Sequence, residues 1–298
     1  MESKMGNTLE EPLSNYRHDP PEKTGGAASA PLDITQTLIQ RSSLMKFALR
    51  HAATFMLVVV TLLFSTGLVN ATELRILAPN AVKETITEIA SRYQRATGFR
   101  VVLSWAGTEA ITKQISDGNI FDVVVNASQN IDKLEKEGKL VSGSRVDFAK
   151  SAIGVAVRVG FPRADISSVD ALKQLTLQAK LIAISSGTSG RYLSELFQRL
   201  GVAEQIKDRI KQPPSGAQIG EMLARVEVDL GFQQISELIH VKGIEYLGPL
   251  PCEIQSITVY SAGVHSAAST PTAAMTFLKM LTAPDFGTFI RKTGMEPA

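Results

Sequence analysis

Cysteine occurs once in the 298 residues, at position 252, which excludes an intrachain disulfide and any cysteine-rich metal site. A lone Cys252 is expected to pack as a small buried apolar side chain. Charge of one sign is also missing: 31 basic residues stand against 29 acidic ones, with no basic stripe. Such a surface has no field to recruit nucleic acid, so no nucleic-acid partner is expected. Histidine is scarce, and beyond residue 71 only His240 and His265 remain. Neither stands in a recognisable acid–base constellation, and each reads as a structural residue. The turn Gly187-Thr188-Ser189-Gly190 looks superficially like a nucleophile elbow. That motif needs a glycine where Arg191 stands, so the match fails. No glycine-rich stretch ends in Gly-Lys-Ser/Thr, and no His, Cys or carboxylate spacing suits a metal. From these absences the chain is expected not to be an enzyme, with no catalytic residue, metal or cofactor.

What is present is an ordinary globular composition, 44% hydrophobic and 20% charged, with length for two compact domains. Lys46, Arg50 and His51 precede an apolar run from Ala52 to Val69, which ends in Val69-Asn70-Ala71. A basic start, an apolar middle and a small-x-Ala exit describe a secretory signal peptide over 45–71, cleaved near Ala71. The competing reading is a membrane anchor, since the run approaches the ~20 residues of a spanning helix. Gly67 and the strand-like segment directly after Ala71 favour cleavage, hence a periplasmic location. Residues 1–44 are polar and aperiodic, a disordered extension or a mis-assigned start ahead of Met45.

From Thr72 onward, apolar runs alternate with amphipathic segments. Leu74–Ala78, Val101–Leu103, Phe121–Val125, Ala152–Val157, Leu181–Ile184, Val228–Phe232 and Ile257–Ser261 read as strands. Val82, Ile86, Ile89 and Tyr93 recur at helical spacing, as do Ile111 and Ile115. Further helices are expected at Tyr192–Leu200, Ile219–Val226, Thr272–Leu281 and Phe286–Arg291. Near-continuous apolar strands between such helices imply an α/β fold with a parallel sheet covered on both faces.

Ligands of open parallel sheets sit beyond the strands' carboxyl ends, where helix N-termini offer free N–H groups. The turns there are Ala78-Pro79-Asn80-Ala81, Trp105-Ala106-Gly107-Thr108, Asn126-Ala127-Ser128-Gln129, Ser185 to Gly190, and Phe232-Gln233-Gln234. They are rich in hydroxyl and amide side chains and poor in charge, which suits a dehydrated anion. Taken singly, each turn also reads as plain helix capping. Arg191 adds a cation suited to a carboxylate, or equally a solvated helix face. Glu109, Asp122 and Trp105 have structural readings as a helix-start charge, a strand-edge acid and a half-buried aromatic.

The segments Leu74–Tyr93, Gly98–Ile115, Phe121–Asn126, Ser185–Leu200 and Val228–Phe232 run in an order that resembles molybdate-binding proteins of ABC transporters. The resemblance places residues 72–298 in the type II periplasmic binding-protein superfamily. It implies two α/β lobes joined by two crossing strands near Ser151–Val157 and Gln255–Gly263. Lobe one would be 72–152 with 257–298, and lobe two 153–256. The family holds an oxyanion with serine hydroxyls, backbone N–H groups and a tyrosine hydroxyl. Carried over, the first serine falls on Asn80 or Ala81 and the second on Gly107 or Thr108. The amides of lobe two fall near Ser189, Gly190, Gln218 and Ile219, and the tyrosine on Gln234. Two of these positions depart from the family's donors, so a small carboxylate competes with a molybdate-like oxyanion as ligand. The implied role is an exported monomeric solute-binding protein that captures a small anion for an ABC transporter permease. The alternative is a periplasmic sensor that reports an organic acid to a membrane receptor.

Overall fold

A computed structural model describes residues 73–162 and 164–298. The expected signal peptide and the extension over 1–44 lie outside the described residues. No helix among the described residues is long and apolar enough to cross a membrane.

The first half opens with three strands, β1 (Glu73–Pro79), β2 (Arg100–Ala106) and β3 (Val123–Ala127). Helices α1 (Lys83–Thr97), α2 (Thr108–Ser116) and α3 (Ser128–Lys136) follow them in turn. Strand β1 pairs in parallel with both β2 and β3. Successive side chains on a strand point to opposite faces, and the core divides accordingly. Ile76, Val123 and Val125 pack with Ile86, Ile89, Tyr93 and Phe277 on one face. Leu77 and Val124 pack with Ile111, Ile115, Ile131 and Leu134 on the other. Tyr93 meets Phe277 edge-on at 5.5 Å, and its hydroxyl donates to the Ala273 carbonyl at 3.0 Å. A buried aromatic thereby keeps its polar end satisfied.

The long strand β4 (Val146–Arg158) then leaves this lobe for a second one. That lobe holds α4 (Val169–Gln178), β5 (Ile182–Ile184), α5 (Thr188–Arg199), α6 (Ala203–Ile206) and β6 (Ile210–Lys211). It continues with α7 (Ile219–Ala224), β7 (Leu230–Gln234), α8 (Ile235–Leu238) and β8 (Ile244–Pro249). Here Val155, Ile182 and Ile184 face Leu193, Phe197 and Phe232, while Ala156 and Ala183 face Ile219, Leu223 and Leu238. Gly231 on β7 admits α7: a Cβ there would sit 2.5 Å from Ile219 and 2.9 Å from Leu223. The chain returns through β9 (Ile257–Val264), then adds α9 (Pro271–Leu281), α10 (Gly287–Lys292) and β10 (Glu296–Pro297).

The strand order is β2-β1-β3-β9-β4-β7-β5-β6. The α/β class and two-lobed architecture expected from the sequence are those of the structure. The sheet is mixed rather than parallel, because the two crossing strands run against their neighbours: β9 is antiparallel to β3 and β4, and β4 to β7 and β8. Residues Val146–Ala152 of β4 pair with β9 and Ile153–Val157 with β7, so one strand serves both sheets. The periodicity gave no sign of helices α3, α4, α6 and α8 or of strands β6, β8 and β10. Strand β8 is only partly buried and ends in Gly-Pro, so its apolar pattern is broken. Cys252 was expected inside but is exposed, on a single helical turn before β9.

Candidate functional site

The strand-to-helix turns of both lobes meet at one cleft. Its walls are the turns at Asn80–Ala81, Gly107–Thr108 and Ser185–Ser189, the loop Pro214–Ala217, and Gln233, Gln234, Glu237 and Tyr260. Helices α2 and α5 begin at Thr108 and Thr188, so the positive ends of two helices border the same space. Asn126 fixes the first of these, since its side-chain nitrogen donates to the Thr108 carbonyl at 3.0 Å and Thr112 Oγ1 at 3.1 Å.

The lobes touch across this cleft. Asn80 Nδ2 donates to the Gly216 carbonyl at 2.8 Å. The Thr188 N–H donates to Thr108 Oγ1 at 3.3 Å, and the two threonine hydroxyls lie 3.4 Å apart. Gly107 permits this approach, because a Cβ there would fall 2.1 Å from Ser215 Oγ and 2.6 Å from Gly216 N. Ser186 Oγ and Ser215 Oγ are buried beside the cleft without a protein partner. Buried hydroxyls are rarely left unpaired, so both are donors open to a ligand.

Of the residues singled out from the sequence, Asn80, Ala81, Gly107, Thr108, Ser189 and Gln234 line the cleft. The Ser189 hydroxyl pairs with Ser185 Oγ at 2.9 Å, and Gly190 N donates to the same oxygen at 3.1 Å. Arg191 does not face the cleft; its guanidinium pairs with Glu109 on α2 at the outer rim. The Ile219 N–H donates to Gln233 Oε1 at 2.9 Å, and Gln218 Nε2 points to Glu237 Oε1 at 3.4 Å. The Gln234 side chain is also committed. With its oxygen accepting from Thr258 Oγ1 at 3.0 Å, its nitrogen donates to Ser151 Oγ at 2.9 Å. It ties the crossing strands together and turns no amide toward a ligand.

Sequence reasoning missed two ionisable groups. Glu237 lies on α8, and its Oε1 accepts from Gln233 Nε2 at 2.8 Å. Its Oε2 makes no protein hydrogen bond, and the residue lines the cleft. Burial pushes this carboxyl up to about 8 from an ordinary 4.5, against the opposing pull of the Gln218 and Gln233 amides. Tyr260 projects from β9, is 2% exposed, and makes no protein hydrogen bond through its hydroxyl. Burial, and then the nearby Glu237 charge, raise its pKa well above the usual value. A phenol thus lines the cleft from a different strand than the family comparison suggested. Ser185, Ser186, Thr188 and Ser215 complete the neutral donors.

His265 is structural. Its Nδ1 accepts from Ala267 N at 3.0 Å, and burial followed by the Lys139 charge lowers its pKa. Asp122 takes bonds from Arg75 N, Ser269 Oγ and Thr270 N, clamping β1 to the start of α9. Among the described residues no group of three or more His, Cys, Asp or Glu side chains could hold a metal.

A family model for bacterial extracellular solute-binding proteins matches residues 74–296. The chain belongs to that family. The solute-binding fold also appears in the solved periplasmic molybdate-binding protein of Azotobacter vinelandii, with a TM-score of 0.64 at 20% identity. That match covers 74% of this chain and 98% of the other. By sequence, a molybdate-binding protein from the same organism is 28% identical over 155 residues, 51% of this chain and 60% of the relative. A protein named aconitate isomerase, from a Pseudomonas species, is 36% identical over 245 residues. It covers 79% of this chain and 93% of the relative. An enzyme so similar over nearly its whole length overturns the expectation that this solute-binding protein is not an enzyme. The expectation rested on a search for histidine bases, serine nucleophiles and metals, and it passed over a carboxyl with a raised pKa.

Proposed function

We propose that this solute-binding protein is an exported isomerase of aconitate or a closely related unsaturated tricarboxylate. The observation that carries the reading is Glu237, whose free Oε2 and near-neutral pKa of about 8 face a cleft of neutral donors. A general acid–base works best when its pKa lies near the operating pH.

Aconitate has a methylene group between a carboxylate and a carbon–carbon double bond, so its protons are acidified. Glu237 Oε2 removes one of them, and the electron pair spreads over the allylic system into the carboxylates. Return of a proton to the far carbon of that system shifts the double bond by one position. The skeleton is restored with the double bond free to adopt the other geometry, and nothing is gained or lost overall. The N-termini of α2 and α5, with the hydroxyls of Thr108, Ser186 and Ser215, bind the carboxylates. The Tyr260 hydroxyl donates to the charge that builds up as the proton leaves. Gln218 and Gln233 hold Glu237 in place through Oε1.

The reading includes lobe bounds of 72–152 with 257–298 for the first lobe and 153–256 for the second. It also includes export to the periplasm, and an ancestry in anion capture for an ABC transporter. The test is incubation of the purified protein with either aconitate isomer, followed by proton NMR. Interconversion that is lost in Glu237→Gln supports the proposal. Tight molybdate binding without interconversion would return the chain to solute capture.

A further inference from the structure

Glu237 borders two cavities. Besides the cleft of ≈ 50 Å³, a second cavity of ≈ 230 Å³ lies on its other side. Asn80, Ala81 and Glu237 belong to both walls, so the two spaces adjoin at these residues. Lys83, Ser236 and His240 also line the second cavity, with Glu84, Glu221 and Gln218. Lys83, His240, Glu84 and Glu221 are exposed, so this cavity reaches bulk solvent at its outer end. Ser236 and His240 stand one turn apart, and Ser236 Oγ is buried there with no protein partner. A cavity this size, walled by polar groups, holds several waters. A catalytic carboxyl needs no such second opening to hold or position a substrate.

We propose that this rear cavity is the route by which Glu237 exchanges its proton with bulk water while the cleft is closed, with Ser236 and His240 supporting the water chain. The inference rests on Glu237 being the base of the reaction proposed above. In the step concerned, the substrate C–H bond breaks and an O–H bond forms at Glu237 Oε2. In heavy water that proton leaves along the water chain and a deuteron replaces it. The deuteron then goes to the far carbon, so the product differs from the substrate by one hydrogen isotope. With the route blocked, Glu237 returns the same proton it took.

Two readouts test this. Conversion in deuterium oxide, read by mass spectrometry, should give product that is one mass unit heavier in most molecules. Lys83→Trp, placed at the exposed mouth, and Ser236→Leu, placed inside, should shift most of the product back to the unlabelled mass. Lys83 is exposed on the first turn of α1, so its variant keeps the test alive if Ser236→Leu fails to fold. The second readout needs no turnover. The infrared band of the protonated Glu237 carboxyl, assigned by its loss in Glu237→Gln, shifts when the protein is mixed with deuterium oxide. That shift should slow several-fold in the blocked variants. An equal rate in wild type and both variants overturns the route, as does unlabelled product from the wild type. A slowed infrared exchange without any conversion of aconitate would keep the route and discard the isomerase reading alone.

Discussion

Replacing Glu237 by glutamine should stabilise the protein at alkaline pH and leave it nearly unchanged in acid. The folded protein holds the Glu237 proton up to about pH 8, whereas the ordinary value is 4.5. Between those values the native state binds more protons than the unfolded chain, so stability falls as pH rises through that window. The separation is about 3.5 units, and at 1.36 kcal/mol per unit the loss approaches about 5 kcal/mol. Glu237 is only half-buried by surface area and borders cavities, so solvent screening lowers the realised effect to about 2–4 kcal/mol. Glutamine is nearly isosteric, its carbonyl still accepts from Gln233, and it carries no charge to desolvate. Urea unfolding of both proteins should give similar midpoints near pH 4.5 and a variant lead that grows to about pH 8–9. A difference between the two that is independent of pH would refute the reasoning. It would mean that Glu237 is as well solvated when folded as when unfolded.

For the same reason, kcat/KM for aconitate should rise about tenfold per pH unit below a midpoint near 8 and flatten above it, because the base must be ionised. A flat profile across that range would remove Glu237 as the base. Gly107→Ala puts a methyl group 2.1 Å from Ser215 Oγ; an overlap costing about 1–3 kcal/mol should weaken ligand binding about tenfold to a hundredfold by calorimetry. Arg191→Ala should change affinity little, since its exposed pair with Glu109 contributes at most about 1 kcal/mol; a large loss would put Arg191 in contact with ligand. Asp229 accepts from Arg158 Nε at 2.7 Å and from the Lys180 and Leu181 amides. Burial opposes its ionisation, but these partners outweigh it and lower its pKa below 3.8. Its stabilisation is therefore complete above that value and is lost as pH falls through the depressed folded pKa. Asp229→Ala should cost about 2–4 kcal/mol at neutral pH by urea unfolding and progressively less in acid.

The sequence made the fold legible where burial imposed a simple pattern. Phe121–Val125 is apolar except for Asp122, and β3 begins two residues inside it, buried throughout. The crossing strands were readable only through the family resemblance, because period alone does not tell an antiparallel strand from a parallel one. The strand-to-helix turns were legible because ligand sites follow the carboxyl ends of strands. What those turns do was less so. Ile219 N and the Gln234 amide looked like free donors, yet each is consumed by a partner, Gln233 in one case and Ser151 with Thr258 in the other. Such pairings depend on three-dimensional neighbours 14 or more residues away. Glu237 was missed because a glutamate three residues past Gln234 has an ordinary reading as a helix-start charge. Its raised pKa comes from burial, which its local sequence does not announce. Tyr260 lies in the segment Ile257–Ser261 that reads as a strand, and it packs in the core cluster as well as lining the cleft, which the sequence period does not show. Ser215 and Gly216 follow no apolar strand, so the rule that located the other turns did not reach them.

The central claim is that this clamshell turns over its ligand, with Glu237 moving the proton. The most direct test is proton NMR of trans-aconitate incubated with purified wild-type protein and with Glu237→Gln, alongside a binding measurement on each. The expected result is appearance of cis-aconitate with the wild type, and binding without conversion in the variant. Wild-type protein that binds aconitate but leaves it unchanged, or a Glu237→Gln variant that converts it at the wild-type rate, would contradict the claim.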